Sequence, residues 1–179
     1  MDIKVRWVII LARPQKDIAI FPVSKATYLS YGPQGEIREG IHYPAFPPIT
    51  LEYPYTRNEL ADAIKRGIDL WDVYECYEDG QGNHKTFEEV FYGVKGFRKA
   101  SKGIRYIRFL CASPSSFEFE NTVSLSLPTK SGYAYLAINK TVLESGADWL
   151  DFADVIYKYA NTDLEEFRSF KTFKRKLNL

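Results

Sequence analysis

The stretch TRNELADAIKRGIDLW, residues 56–71, carries the clearest structural signal in the chain. It opens with a capping box, Thr56 and Glu59, whose side chains satisfy backbone groups that a first helical turn would leave open. Apolar residues then recur at helical spacing, at Leu60, Ile64, Ile68 and Trp71. The stretch therefore predicts an amphipathic helix with one face on a hydrophobic core.

The same pattern returns 92 residues later, where FADVI (152–156) aligns with LADAI (60–64). The residues that precede the two helices align as well: Thr56 with Asp148, Glu59 with Asp151, and Leu51-Glu52 with Leu143-Glu144. Two copies are too few for a stacked repeat, which needs about three. The echo indicates two similar β-then-α halves that share one core.

Runs rich in Val, Ile and aromatic residues predict strands over much of the remaining chain. The first half has such runs at 4–11, 17–23, 27–31 and 49–53, with a hairpin turn at 15–17 and a Gly- and Pro-rich loop over 32–48. The second half has a short helix at 86–92, β-rich runs at 104–112, 117–120, 122–127 and 133–138, and helices at 150–159 and from 162 onward.

The expected fold is a mixed α/β (α+β) structure with a central, mainly antiparallel sheet and helices packed on it. We expect a single domain over 1–179, with halves of about 1–72 and 84–160 and a C-terminal helix over 161–179. At 179 residues and 45% hydrophobic composition, the chain is long and apolar enough to build one core.

Composition also narrows the function classes. A net charge of +1 argues against a protein that coats DNA. Disulfide frameworks and zinc sites are disfavoured because the chain has only two cysteines and two histidines, at Cys76, Cys111, His42 and His84. The apolar run at 7–12 is too short for a signal sequence or a membrane span. We expect a reduced, cytoplasmic protein with no metal and no cofactor.

Catalytic motifs are weak throughout the sequence. The segment DGQGNHKT (79–86) ends like a phosphate-binding loop but has His84 where that loop requires glycine. No spacing pairs either histidine with a nucleophile, and the carboxylates form no apolar-flanked pair. We expect the protein not to be an enzyme, although residues that only the fold brings together could still form a site.

Charge is segregated along the chain despite the neutral total. Residues 59–89 contain nine acidic and three basic residues. Aromatic residues interleave with these acids, as in a surface that binds a basic protein partner. The candidate partner-binding residues are Asp69, Asp72, Tyr74, Glu75, Tyr77, Glu78, Asp79, Glu88 and Glu89. A merely solvated face is the alternative interpretation of the same pattern.

Basic residues concentrate at 95–108 and 168–176. Phosphate contacts by these stretches, with Phe97 and Tyr106 stacking on bases, would make the chain a nucleic-acid-binding or regulatory protein. Arg105 and Arg108 alternate with apolar residues in an expected strand, so they could instead face solvent.

Several segments resemble the CdiI immunity proteins of bacterial contact-dependent growth inhibition (CDI) systems. They are the strand IAIFPV (18–23) with ATYLS (26–30), the helix ELADAI (59–64), the helix at 85–94, the strands up to 138, and FADVI (152–156). The sequence departs from that family at Ala61 and Ala153, where glycine is usual, and in lacking an acidic-proline signature.

The resemblance implies a small cytoplasmic protein that binds the C-terminal toxin domain delivered by a sibling cell and blocks its active site without catalysis. Many such toxins are nucleases with basic clefts. An acidic surface over 69–89 would then imitate the phosphates of the substrate and occlude the cleft. The resemblance leaves the identity of the toxin and the oligomeric state open.

Overall fold

A computed structural model of the chain describes residues 6–25, 30–31, 37–38, 42–45, 47–73, 87–113, 116–125 and 134–161. The strands in these ranges are β1 (Arg6–Arg13), β2 (Asp17–Lys25), β3 (Ser30–Tyr31), β4 (Ile37–Arg38), β5 (His42–Pro44), β6 (Ile49–Glu52), β7 (Arg105–Ser113), β8 (Ser116–Leu125) and β9 (Ala134–Glu144). The helices are α1 (Arg57–Asp69), α2 (Phe87–Tyr92), α3 (Phe97–Ala100) and α4 (Trp149–Asn161).

One antiparallel sheet organises the described residues. Its strand order is β5-β2-β1-β7-β8-β9, and β6 also pairs with β2, beside β5 on the same edge. The central strand β1 has a continuous apolar run because both of its faces are covered, and all residues from Val8 to Ala12 are buried. The expected mixed α/β fold with an antiparallel sheet is confirmed.

Helices α1 and α4 lie side by side on one face of the sheet and enclose the main core. Phe152 of α4 sits at the centre of an aromatic group, with its ring centroid 5.3 Å from Phe109 and 4.6 Å from Phe117. Ile64 of α1 and Ile107 of β7 are fully buried in the same core. Burial of this shared core holds the two halves together.

The opposite face carries a smaller core over β1 and β2. Its centre is Phe21, whose ring meets Phe87 and Phe91 of α2 edge-on at centroid distances of 5.3 and 5.2 Å. Trp7 and Trp71 pack against the same cluster. The short helix α2, expected at 86–92, thus covers the second face of the central strands.

Both halves begin their main helix with the same backbone device. In α1, the Thr56 hydroxyl accepts the Glu59 N–H, and the Glu59 carboxylate accepts the Thr56 N–H at 2.7 Å. In α4, Asp148 Oδ1 accepts the Asp151 N–H at 3.0 Å, and Asp151 Oδ2 accepts the Asp148 N–H at 2.9 Å. Each helix also follows an edge strand, β6 or β9, as the echo at 92 residues predicts.

Three local expectations differ from the structure. The 32–48 region, expected to be mostly loop, contains β4 and β5, and β5 adds to the edge of β2 through backbone pairing. The runs expected at 117–120 and 122–127 form one strand, β8, as far as Leu125, because a register shift between Asn121 and Thr122 absorbs the break in pattern. Residues 126–127 lie outside the described residues. The helix α3 was not expected, and the helix expected from 162 onward lies outside the described residues.

Candidate partner-binding surface

The structure describes four of the nine candidate partner-binding residues. Asp69 and Asp72 are exposed where α1 ends, and the Asp69 carboxylate accepts the Lys65 ammonium at 2.7 Å. The Asp72 N–H donates to the carbonyl of Val23, which ties this corner to β2. The other five candidates fall outside the described residues: Tyr74, Glu75, Tyr77, Glu78 and Asp79.

Glu88 and Glu89 take structural positions on α2. Glu88 is only 2% exposed, and its charge is one of the causes, after burial, that raise the pKa of Tyr106. The Glu89 carboxylate accepts the Gly96 N–H at 2.6 Å, so it fixes the connection from α2 to α3. Of the described candidates, Asp69 and Asp72 are therefore the two exposed residues.

The aromatic residues proposed to stack on nucleic-acid bases are not available for that role. Phe97 is buried, and Tyr106 packs with its ring 6.4 Å from that of Phe87. Arg108 donates to the Glu120 carboxylate at 2.6 Å across the β7–β8 pair. The basic stretch at 95–108 thus lacks exposed rings at the two positions that a base-stacking surface needs.

The reactive side chains that the structure describes give no indication of a catalytic site. Cys111 packs against the main core, and burial raises its pKa to about 11, which suits a small hydrophobic residue. Cys76, His84 and the stretch at 168–176 lie outside the described residues. Within the described ranges, no group of three His, Cys, Asp or Glu side chains could hold a metal ion, and no helix is long and apolar enough to cross a membrane.

A groove opens between α1 and α4 on the outer surface of the helix layer. Its volume is about 310 Å³, and we call it the tyrosine groove. Both halves of the chain contribute to its lining, which consists of Tyr55, Arg57, Leu60, Ala153, Asp154 and Tyr157. The floor is apolar, since Leu60 and Ala153 belong to the main core.

Three tyrosines run along this region in successive edge-to-face contacts. The Tyr55 ring lies 6.3 Å from Tyr53 and 6.2 Å from Tyr157, at interplanar angles of 86° and 79°. Tyr53 and Tyr157 are 47% and 46% exposed, whereas burial raises the pKa of Tyr55 to about 12. Half-exposed tyrosines with a packed partner resemble the rigid aromatic residues that dominate binding energy at protein interfaces.

An ion pair joins the two helices beside these rings. The Arg57 guanidinium donates to Asp154 Oδ2, and both side chains are at least half exposed. A pair this exposed stabilises the fold by at most about 1 kcal/mol. Because both side chains are exposed, the two charges are accessible to a ligand at the mouth of the tyrosine groove.

Comparisons with known proteins identify the fold and leave the family open. No family model matches the chain, and no curated protein matches it. A solved structure of a Neisseria meningitidis protein of unknown function aligns with a TM-score of 0.52 at 10% identity, over 89% of this chain and 95% of that one. A chain of the CdiA-CT/CdiI toxin and immunity complex from Yersinia pseudotuberculosis aligns with a TM-score of 0.50 at 12% identity, over 88% and 96%.

Both alignments run through nearly the whole length of each chain. The shared property is the fold. At 10% and 12% identity, side chains at the surface are free to differ, so residues of the tyrosine groove must be judged on this chain alone.

Sequence reasoning did not identify the tyrosine groove. Tyr53 and Tyr55 stand at the junction of a strand and a helix, where their pattern is typical of neither element. Asp154 and Tyr157 lie 97 and 100 residues after Arg57, so only the packing of α1 on α4 brings them together. Leu60, another lining residue from α1, has the pattern of a core position. The available signal was the YPY triplet (53–55) directly before the capping box.

Proposed function

We propose that this chain is an immunity protein that binds and neutralises the toxin domain of a contact-dependent growth inhibition system. The observation that carries the proposal is its fold likeness to a chain of the Yersinia pseudotuberculosis toxin and immunity complex, which extends over 88% of this protein. The proposal rests on a shared architecture, and we expect the specific partner to be a toxin encoded beside this chain's own gene.

The sequence resemblance favours the immunity component of such a complex. The segments IAIFPV, ELADAI and FADVI, which resemble immunity proteins, form β2, the start of α1 and the middle of α4. These elements build the main core. A resemblance concentrated in the core supports a common scaffold, while the binding surface varies with each toxin.

Under this proposal the protein acts by binding and not by catalysis. It would work in the cytoplasm as a nuclease inhibitor, covering a basic active-site cleft with the acidic segment 69–89. Asp69 and Asp72 mark where that segment leaves α1, and both residues are exposed. Complementary charge would speed the encounter and orient the two proteins.

Co-expression with the neighbouring toxin gene tests the proposal. We expect a tagged copy of this chain to retain the toxin in a stable one-to-one complex and to restore growth of cells that express the toxin. If the chain elutes alone and the neighbouring product is harmless without it, the proposal is wrong. Binding to nucleic acid at low salt would then be measured next.

Charge reversal tests the location separately. Glu75→Lys, Glu78→Lys and Asp79→Lys together should weaken toxin binding by orders of magnitude, because each reversal replaces attraction with repulsion. The control variant Lys99→Glu and Lys102→Glu reverses two exposed charges outside the segment and should not weaken binding. Unchanged affinity in the triple variant would exclude this location without excluding the immunity function.

A further inference from the structure

We infer that the tyrosine groove is the docking site for a basic side chain, arginine or lysine, from the toxin that this protein binds. The identity of the partner rests on the proposed function. The chemistry of the groove is argued from the groove's own residues. The inference adds a contact site that the sequence patterns do not predict.

The shape of the groove suits a long basic side chain. The partly exposed Tyr55 and half-exposed Tyr157 rings provide apolar walls for the aliphatic stem, above the buried Leu60 and Ala153. Arginine and lysine bury such stems while keeping the charged head at the surface. The head would then lie beside a tyrosine face and the Asp154 carboxylate, which attract a cation through the ring quadrupole and by charge.

The surrounding surface carries complementary charge. Residues 52–69 and 144–158 contain eight acidic and four basic side chains, all exposed, for a net charge of −4. The acids are Glu52, Glu59, Asp62, Asp69, Glu144, Asp148, Asp151 and Asp154, and the bases are Arg57, Lys65, Arg66 and Lys158. A basic partner would be drawn to this helix layer, and an acidic one repelled.

The ion pair already present shows how a guanidinium fits. Arg57 occupies one oxygen of Asp154, and a carboxylate accepts several donors. An incoming arginine would share or displace Arg57, so Arg57 competes with the partner for the same carboxylate. Removing Arg57 should therefore tighten the partner's binding, whereas a purely structural ion pair would give the opposite result.

A small probe tests the groove in the free protein. N-acetyl-arginine amide is titrated while the ring signals of Tyr55 and Tyr157 are followed by NMR, with N-acetyl-norleucine amide as an uncharged probe with a similar stem. We expect saturable shifts with the arginine probe alone, and a loss of these shifts in Asp154→Asn. Equal shifts with both probes, or none with either, would overturn the cation site whatever the function of the protein.

The toxin complex supplies the second test. Tyr157→Ala should weaken binding about tenfold or more, as expected for truncation of an interface tyrosine. Asp154→Asn should also weaken it, and Arg57→Gln should tighten it severalfold. Val142→Ala, which truncates a 48% exposed residue of β9, is the control that should leave affinity unchanged.

The outcomes separate the two ideas. If wild-type protein forms no complex with the toxin, the proposed function is wrong. The arginine probe still tests whether the groove binds a cation. If the complex forms but Tyr157→Ala binds as tightly as wild type, the toxin does not use the groove. If Arg57→Gln and Asp154→Asn weaken binding equally, the pair is structural and the inference is wrong. Thermal unfolding of each variant shows whether the fold is intact.

Discussion

Replacing Gly67 with alanine tests how closely α1 packs on the sheet. Gly67 lies on the buried face of α1, where an added Cβ would be 2.8 Å from Ile20 Cγ2 and 3.3 Å from Val8 Cγ1. Contacts under 3.0 Å require a shift of one group. Ile20 and Val8 are fully buried in the central strands, so neither methyl group has free space to enter.

Two opposing effects set the magnitude. Alanine is about 1 kcal/mol more favourable than glycine inside a helix. Overpacking a rigid core costs about 1–3 kcal/mol. Because both neighbours of Gly67 are fully buried, we take the middle of that range, about 2 kcal/mol, and subtract the helix preference. We therefore expect Gly67→Ala to lower the free energy of unfolding by about 1 kcal/mol. On an exposed helix position the same change would raise it.

Urea denaturation measures the effect, with Lys65 as the matched control. Lys65 is exposed on the same helix, so the difference between Lys65→Ala and Lys65→Gly gives the local preference for alanine without any clash. A cycle with Ile20→Ala should then show that removing the Ile20 methyl groups relieves the strain at Gly67. If Gly67→Ala stabilises the protein as much as alanine does at Lys65, the close packing of α1 on β1 and β2 is refuted.

Two further predictions concern the second helix cap and the buried tyrosine. Asp148→Ala should lower the free energy of unfolding by about 1 kcal/mol, because it removes the acceptor for the Asp151 N–H; an unchanged denaturation midpoint would contradict this role. Burial raises the pKa of Tyr55 to about 12, so the unfolded chain loses this proton first, near pH 10. Stability present below pH 10 should fall as the pH rises towards 12, and Tyr55→Phe should reduce that fall in urea titrations at each pH.

The elements that sequence reasoning located correctly depend on local patterns. The capping residues Thr56 and Asp148 and the apolar spacing that follows them are contained within a few turns of helix, so the sequence alone predicts α1 and α4. The hairpin of β1 and β2 was equally local: a tight turn at Gln15, with a φ of 56°, separates two apolar runs. Short-range physical chemistry determines these features, and one sequence suffices to find them.

The features that were missed depend on the rest of the fold. β5 is a strand because the edge of β2 offers it backbone partners, and its own residues show no alternation. Glu88 looked like part of an acidic surface because its sequence neighbours are charged, yet the packing of α2 on the sheet buries it. In both cases the contacts that determine the structure come from residues distant in sequence. Periodicity and composition do not reveal such contacts.

The internal echo separates the scaffold of this protein from its surface chemistry. Positions that pack or cap are repeated after 92 residues: Ile64 and Ile156 are both fully buried, and Ala61 and Ala153 are both small core residues. The aromatic and basic groove positions are not repeated, since Tyr55, Arg57 and Tyr157 correspond to Ala147, Trp149 and Lys65, whereas Ala153 and Asp154 have counterparts in Ala61 and Asp62.

Packing constrains both halves alike, because each helix must cover the same sheet face. Among the residues that the structure describes, the tyrosine groove at the junction of the halves therefore has no complete counterpart at the 92-residue spacing. A partner that uses it would bind in a single orientation and at one copy per chain. A complex of two partner molecules on one copy of this chain would show that the binding surface is instead part of the repeated scaffold.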